Sequence, residues 1–129
     1  MAKENAFLFG VETSESRWPI EDSLEELRQL ARTAGLNTVG YSYQRRETAH
    51  PATYMGPGKL EELAYEIVGV QADILLTDDE LSPAQARNIE RRLGPVKVVD
   101  RTALILDIFA QHATTKEGQL QVELAQYEY

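Results

Sequence analysis

Apolar and polar positions along this chain switch repeatedly between a two-residue and a 3.6-residue period. Ala6 to Val11 (AFLFGV) is a short apolar run of the kind a buried strand needs. Glu12 to Asp22, containing Trp18-Pro19, is a loop. Ser23 and Glu26 then fit a capping box, Leu24, Leu27, Leu30, Ala31 and Ala34 recur at helical spacing, and Gly35 stands where a left-handed C-terminal residue belongs. In Asn37 to Gln44, Val39, Tyr41 and Tyr43 alternate with polar neighbours and predict a second strand. Arg45 to Gly58 is the longest irregular segment, the type of loop that is often functional or mobile. Leu60, Leu63, Ala64, Ile67 and Val68 predict one face of a helix stopped by Gly69. Asp73 to Thr77 is the third strand. Ser82-Pro83-Ala84-Gln85 is a capping box with proline at the first helical position, opening a helix with Ala86, Ile89 and Leu93 inward. Gly94-Pro95 ends it, and Val96 to Val99 is the fourth strand.

Asp100 to Gln126 departs from this rhythm. Leu104, Ile105, Leu106, Ile108 and Phe109 surround most of a helical circumference, and the one polar stripe is Asp107, Gln111 and Thr114. A helix apolar nearly all round is expected to be buried, with His112 near its inner face. Further on, Leu120, Leu124 and Tyr127 form one stripe and Val122, Ala125 and Tyr129 another on roughly the opposite side, so this part wants partners on two faces.

Four alternations of strand and helix, with connections too long for hairpins, predict an α/β fold: a four-stranded, mainly parallel sheet flanked by helices. At 129 residues, with 43% hydrophobic and 26% charged, the chain reads as a globular domain rather than a disordered one. The apolar run near the N-terminus is too short for a signal peptide or a membrane span. Cysteine is absent, which removes disulfides and thiolate metal sites and fits a reducing cytosol. The net charge of −8 argues against autonomous nucleic-acid binding through a basic groove; the basic pairs Arg45-Arg46 and Arg91-Arg92 each sit beside a glutamate.

In open parallel sheets, ligands bind outside the carboxyl ends of the strands. Four segments meet that edge: Glu12 to Ser16, the Arg45 to Lys59 loop, Asp78 to Glu80, and Asp100 to Thr102. They supply Lys59, Asp78, Asp79, Glu80, Asp100, Arg101 and Thr102, acids beside bases that suit Mg²⁺ and a phosphate, or a proton relay. The plainer alternative is that Asp79 and Asp100 favour helix N-termini and that Arg101 pairs with an acid. Gly56, Gly58 and Lys59 resemble a phosphate loop only weakly. A single Pro57 separates the glycines, Leu60 follows the lysine, and a tight turn onto a helix N-terminus explains the segment as well. His50 and His112 have no ligand-like neighbour at metal spacing, and no serine stands in a nucleophile elbow.

Three blocks, taken together, resemble one family. They are Tyr54-Met-Gly-Pro-Gly-Lys59-Leu-Glu-Glu-Leu63; Asp78-Asp79-Glu80-Leu81-Ser82-Pro83-Ala84-Gln85 with Arg87-Asn88; and Asp100-Arg101-Thr102 through Leu106-Asp107-Ile108-Phe109-Ala110-Gln111, followed by Gln121-Val122-Glu123-Leu124-Ala125-Gln126. Their order and spacing are similar to the N-terminal domain of HflX-type GTPases. The resemblance runs from about Ala34 to Tyr129; the residues before it match only in pattern. It implies an N-terminal α/β domain over residues 1–113. Residues 114–129 would begin a helical hairpin, its returning helix absent, that leads to a GTP-binding domain.

Members of that family bind the large ribosomal subunit, through ribosomal RNA, and split stalled or idle ribosomes in the cytoplasm. Some members link the N-terminal region to ATP binding or RNA remodelling. GTP and Mg²⁺ are the family's cofactors, yet this chain has no GxxxxGK[ST], DxxG or NKxD motif, so the resemblance implies a non-catalytic piece excised from a GTPase rather than a short paralogue. Its expected partners are the large subunit, the missing GTP-binding domain and hairpin, or a second copy meeting an exposed tail helix. On this reading Gly56, Gly58, Lys59, Asp78, Asp79, Glu80, Asp100, Arg101, Thr102, Gln121 and Glu123 contact ribosome, ligand or neighbouring domain. The rival expectation is an ATP site at Gly56, Gly58 and Lys59 with Asp78, Asp79 and Asp100.

Overall fold

The computed structural model describes residues 3–113. Within them the order is β1 (Asn5–Glu12), α1 (Ile20–Thr33), β2 (Asn37–Arg45), α2 (Pro57–Gly69), β3 (Ile74–Thr77), α3 (Pro83–Leu93), β4 (Lys97–Asp100) and α4 (Arg101–Ala113). The strands form one parallel sheet in the order β2-β1-β3-β4. The α/β expectation therefore holds in full.

That order has a functional consequence. From β1 the chain first steps outward to β2, then crosses back over β1 to β3 and continues to β4. Right-handed crossovers in opposite directions put their helices on opposite faces. Two cores result. Phe7, Phe9, Val11 and Leu75 pack under α2 and α3 with Leu63, Ile67 and Ile89. Ala6, Leu8, Ile74 and Leu76 pack under α1 and α4 with Leu24, Leu27 and Leu104. The reversal falls between β1 and β3, so their carboxyl ends are the switch point of the sheet.

Local chemistry explains most element boundaries. Both arms of the Ser82–Gln85 capping box are present, and Gly35 takes the left-handed conformation at φ 84°. Other expectations need correction. Helix α1 begins at Ile20 rather than after Ser23, because proline at position 19 presets the turn and Glu12, reaching over from β1, accepts the Ile20 N–H at 2.9 Å. Ser23 is thereby free to bond elsewhere. Gly69 is the last residue of α2 but not its left-handed stop; Gln71 takes that conformation at φ 56°. Val68, expected inward, is exposed because only Leu60, Leu63, Ala64 and Ile67 face the sheet.

The largest correction concerns α4. Only Leu104 is buried, with Ile108 packed against it, while Ile105, Leu106 and Phe109 are 45%, 65% and 66% exposed, and His112 is exposed too. A single sheet face can cover only about a third of a helix's circumference, so the opposite apolar side of α4 stays in solvent. The two tail stripes, with Gln121 and Glu123, lie outside the described residues.

Candidate functional site

At the switch point the chain closes its polar groups on one another. Tyr54 is the centre. It is 1% exposed and sits at φ 68°, a conformation that is a genuine outlier for a bulky side chain. Its hydroxyl accepts the Val11 N–H at 3.1 Å and donates to Asp79 Oδ2 at 2.6 Å. Its ring meets Phe9 edge to face at 6.2 Å. Burial, then the adjacent Asp79 carboxylate, pushes the phenol far above its ordinary range. Partial burial likewise raises Asp79, with the Tyr54 hydrogen bond working against it and Asp78 adding to it. Neither the left-handed φ nor the strand contact of Tyr54 had a signal in the sequence.

Beside it lies an ion-paired cluster. Asp78 is 8% exposed; its carboxylate accepts from Ser23 Oγ at 2.5 Å and from Arg101 Nη2 at 2.6 Å. Arg101 also donates to the Ser23 carbonyl at 2.9 Å, the Asp78 carbonyl at 3.2 Å and Glu26 at 2.7 Å. Gly10 makes room for this cluster. A Cβ there would lie 2.7 Å from Ile20 Cδ1 and 3.2 Å from Asp78 Cβ.

Three of the other sequence-named positions, Gly56, Lys59 and Asp100, are also engaged. Asp100 accepts from Leu81 N–H at 3.0 Å and from Ala103 N–H at 2.8 Å, so it caps α4 and ties the β3–α3 loop to it. Gly56 donates its N–H to Gln44 Oε1 at 2.9 Å, and Lys59 pairs with Glu62 at 3.3 Å. Gly58, Glu80 and Thr102 are exposed. The 46–56 loop is held by α3: Gln85 donates to the His50 carbonyl at 2.9 Å and Asn88 to the Ala52 carbonyl at 2.8 Å. All three sequence blocks are thus hydrogen-bonded together through side chains at one edge.

The clefts left open there are acidic. One of about 360 Å³ is lined by Glu15, Glu47, Asp79 and Glu80 among others; a neighbour of about 460 Å³ brings Asp22, Glu26, Asp78 and Asp79 around Arg101. Carboxylates in that number repel a phosphate. Among the described residues no group of histidine or acidic side chains has the geometry to hold a metal ion.

Comparison with known proteins places this arrangement. A family model described as the GTP-binding GTPase N-terminal domain matches residues 21–110. The GTPase HflX of Lacrimispora saccharolytica is 48% identical over 127 residues, covering 98% of this chain and 30% of that protein. The chain belongs to the HflX family of GTPases. The GTPase HflX of Escherichia coli is 47% identical over 105 residues, 81% of this chain and 24% of its own length. A GTP-binding protein from Sulfolobus solfataricus, solved in complex with GDP, superposes with a TM-score of 0.64 at 28% identity, over 98% of this chain and 36% of that one. The chain therefore corresponds to the N-terminal domain of HflX and spans about 30% of the length of its HflX relatives.

No phosphate loop, switch or base-reading motif of a GTPase occurs in the 129 residues, and the two clefts at the carboxyl edge described above are acidic. No helix among the described residues is long and apolar enough to cross a membrane.

Proposed function

We propose that this chain is the docking and regulatory domain of an HflX-type GTPase. It carries no chemistry of its own, engages the large ribosomal subunit in the cytoplasm, and couples that contact to a GTP- and Mg²⁺-binding domain elsewhere in the longer protein. The observation that carries this reading is the outer face of α4. Ile105, Leu106 and Phe109 are exposed in line on a helix whose opposite side is already packed. Burying Leu106 and Phe109 would contribute about 1.5–3 kcal/mol each. Residues 114–129 carry further apolar stripes, and we assign them to the start of the helical hairpin that joins the two domains. In this arrangement the polar edge sets the angle at which α4 leaves the sheet, because Asp100 and Arg101 bond to the loop after β3.

The test is a chimera in which residues 1–129 replace the matching segment of the E. coli GTPase HflX. The chimera is expected to pellet with large subunits and to hydrolyse GTP faster in their presence. Pelleting that survives deletion of the whole segment would remove the docking role. For the ATP reading, titration of this chain with ATP and Mg²⁺ is expected to give no saturable heat. Saturable heat abolished by Lys59→Ala would put an ATP site in place of the docking role.

A further inference from the structure

The two free edges of the sheet differ in kind. At β4 the edge is four residues long, follows Pro95 and begins at Lys97, whose side chain pairs with Glu4 at 3.2 Å. Short edge strands marked by lysine and proline are how natural sheets discourage further pairing. Edge strand β2 is nine residues long, NTVGYSYQR, without lysine or proline, and none of its residues is buried. Val39, Tyr41 and Tyr43 are of the β-branched and aromatic types that favour strand pairing, and Tyr41 is 63% exposed.

A plainer explanation is that β2 is a solvated edge like that of any open sheet. Two features do blunt it. The register slips between Ala6 and Phe7, leaving Val39 as the extra residue of a bulge that twists the amino half. Arg45 adds a charge at the other end, but it is bonded to Glu12 at 2.7 Å and lies 5.5 Å from the Tyr43 ring. The span from Gly40 to Arg45 is left open. Arg46 gives its N–H to the Glu12 carbonyl at 2.9 Å. Backbone donors alternate sides along a strand, so Tyr41, Tyr43 and Arg45 point theirs outward, with no partner among the described residues.

We infer that β2 pairs antiparallel with β2 of a second copy of this chain, with Tyr43 on the two-fold axis. This occupant is selected because the strand is complementary to itself in that register. Tyr43 faces Tyr43 of the second copy, and Tyr41 faces its Arg45. All three side chains belong to the α1 side of the sheet, since Tyr41 is in register with Leu8 and Tyr43 packs with the core beneath α1. Aromatic rings then meet across the strands, and each guanidinium gains a second tyrosine beside the one it already covers. Arg45 is the one charged residue of β2, so no like charges stand opposite each other. The three facing pairs exchange about six backbone hydrogen bonds, two for each pair, and two four-stranded sheets become one continuous sheet. The inference goes beyond the docking reading and does not depend on it, because α4 takes no part.

Sedimentation equilibrium of the whole chain, from micromolar to submillimolar concentration, is expected to show the mass rising from 14.5 kDa toward twice that value. Tyr41→Pro removes an outward N–H where an edge strand tolerates proline, and should weaken the dimer about tenfold or more. Tyr41→Lys sets a like charge opposite each Arg45 and should weaken it about fivefold or more. Tyr41→Glu, opposite the same arginine, should hold it within about twofold of wild type. Leu106→Ser with Phe109→Ser, confined to α4, should leave association unchanged. Circular dichroism and the urea midpoint check that each variant folds. A chain that stays at 14.5 kDa throughout overturns the inference. So does a dimer that Tyr41→Pro leaves intact, or one lost in the α4 variant, which would place self-association on that helix. Equal weakening by Tyr41→Lys and Tyr41→Glu would overturn the register.

Discussion

The carboxyl edge and the outer face of α4 are neighbours in sequence, Arg101 standing four residues before Ile105, and they follow opposite rules. At the edge every prominent polar group finds a partner inside the domain: Tyr54 with Asp79 and Val11, Asp78 with Ser23 and Arg101, Asp100 with Leu81 and Ala103. On α4, Ile105, Leu106 and Phe109 have neither sheet nor helix over them among the described residues. Residues that look like chemistry in the sequence are therefore doing structural work, and residues that look like core are left on the surface. The difference teaches where to look for function. A satisfied mesh is costly to disturb and has little left to offer a ligand, whereas an exposed apolar stripe gains free energy from any surface that covers it.

The sharpest way to break this contrast is at Arg101. Arg101→Ala leaves Asp78 buried without its guanidinium, and urea unfolding of this chain should show a loss of about 3–5 kcal/mol; a loss below about 1 kcal/mol would mean the mesh is not what holds the edge. Tyr54→Phe keeps the ring but strands the buried Val11 N–H. The expected cost is about 1–3 kcal/mol by the same measurement, and an unchanged midpoint would show that the hydroxyl is dispensable.

A smaller effect concerns pH. Asp79 is raised in the folded state, first by burial, so the folded chain holds that proton more tightly than the unfolded one. Its contribution is then fully present below the unfolded carboxylate value of about 4 and is lost as pH rises through the raised value. Asp79→Asn, whose side-chain oxygen can still accept the Tyr54 hydrogen bond, should remove this decline. Parallel stability–pH curves for variant and wild type would count against it. Smallest of all is the effect of Leu106→Ser with Phe109→Ser, which should alter the unfolding midpoint of this chain by no more than about 0.5 kcal/mol. The same pair in the chimera should abolish stimulation of GTP hydrolysis by large subunits while leaving basal hydrolysis intact.

Much of the fold was legible because local signals agreed with one another. The apolar run of Ala6 to Val11, the capping box at Ser82 and the left-handed Gly35 each announce an element that the structure contains. What failed was non-local. Ser23 and Glu26 spell a capping box, yet Glu12, eight residues before Ile20, caps α1 from a neighbouring strand. Tyr54 reads as a loop residue, and only the fold reveals that it is driven under the sheet edge to meet Val11 and Asp79. The hydrophobic circumference of α4 reads as burial, and the structure leaves most of it exposed, because periodicity does not say how much of a helix the domain covers.

Hydrogen exchange tests the central contrast most directly, comparing this chain alone with the same residues inside the chimera. Amide protection reports local opening, so a surface that gains a partner slows its exchange. The account predicts that peptides covering residues 101–113 become more protected in the chimera, while those covering 50–56 and 78–82 exchange as they do in the isolated chain. Protection gained at 50–56 and 78–82, with 101–113 unchanged, would contradict it.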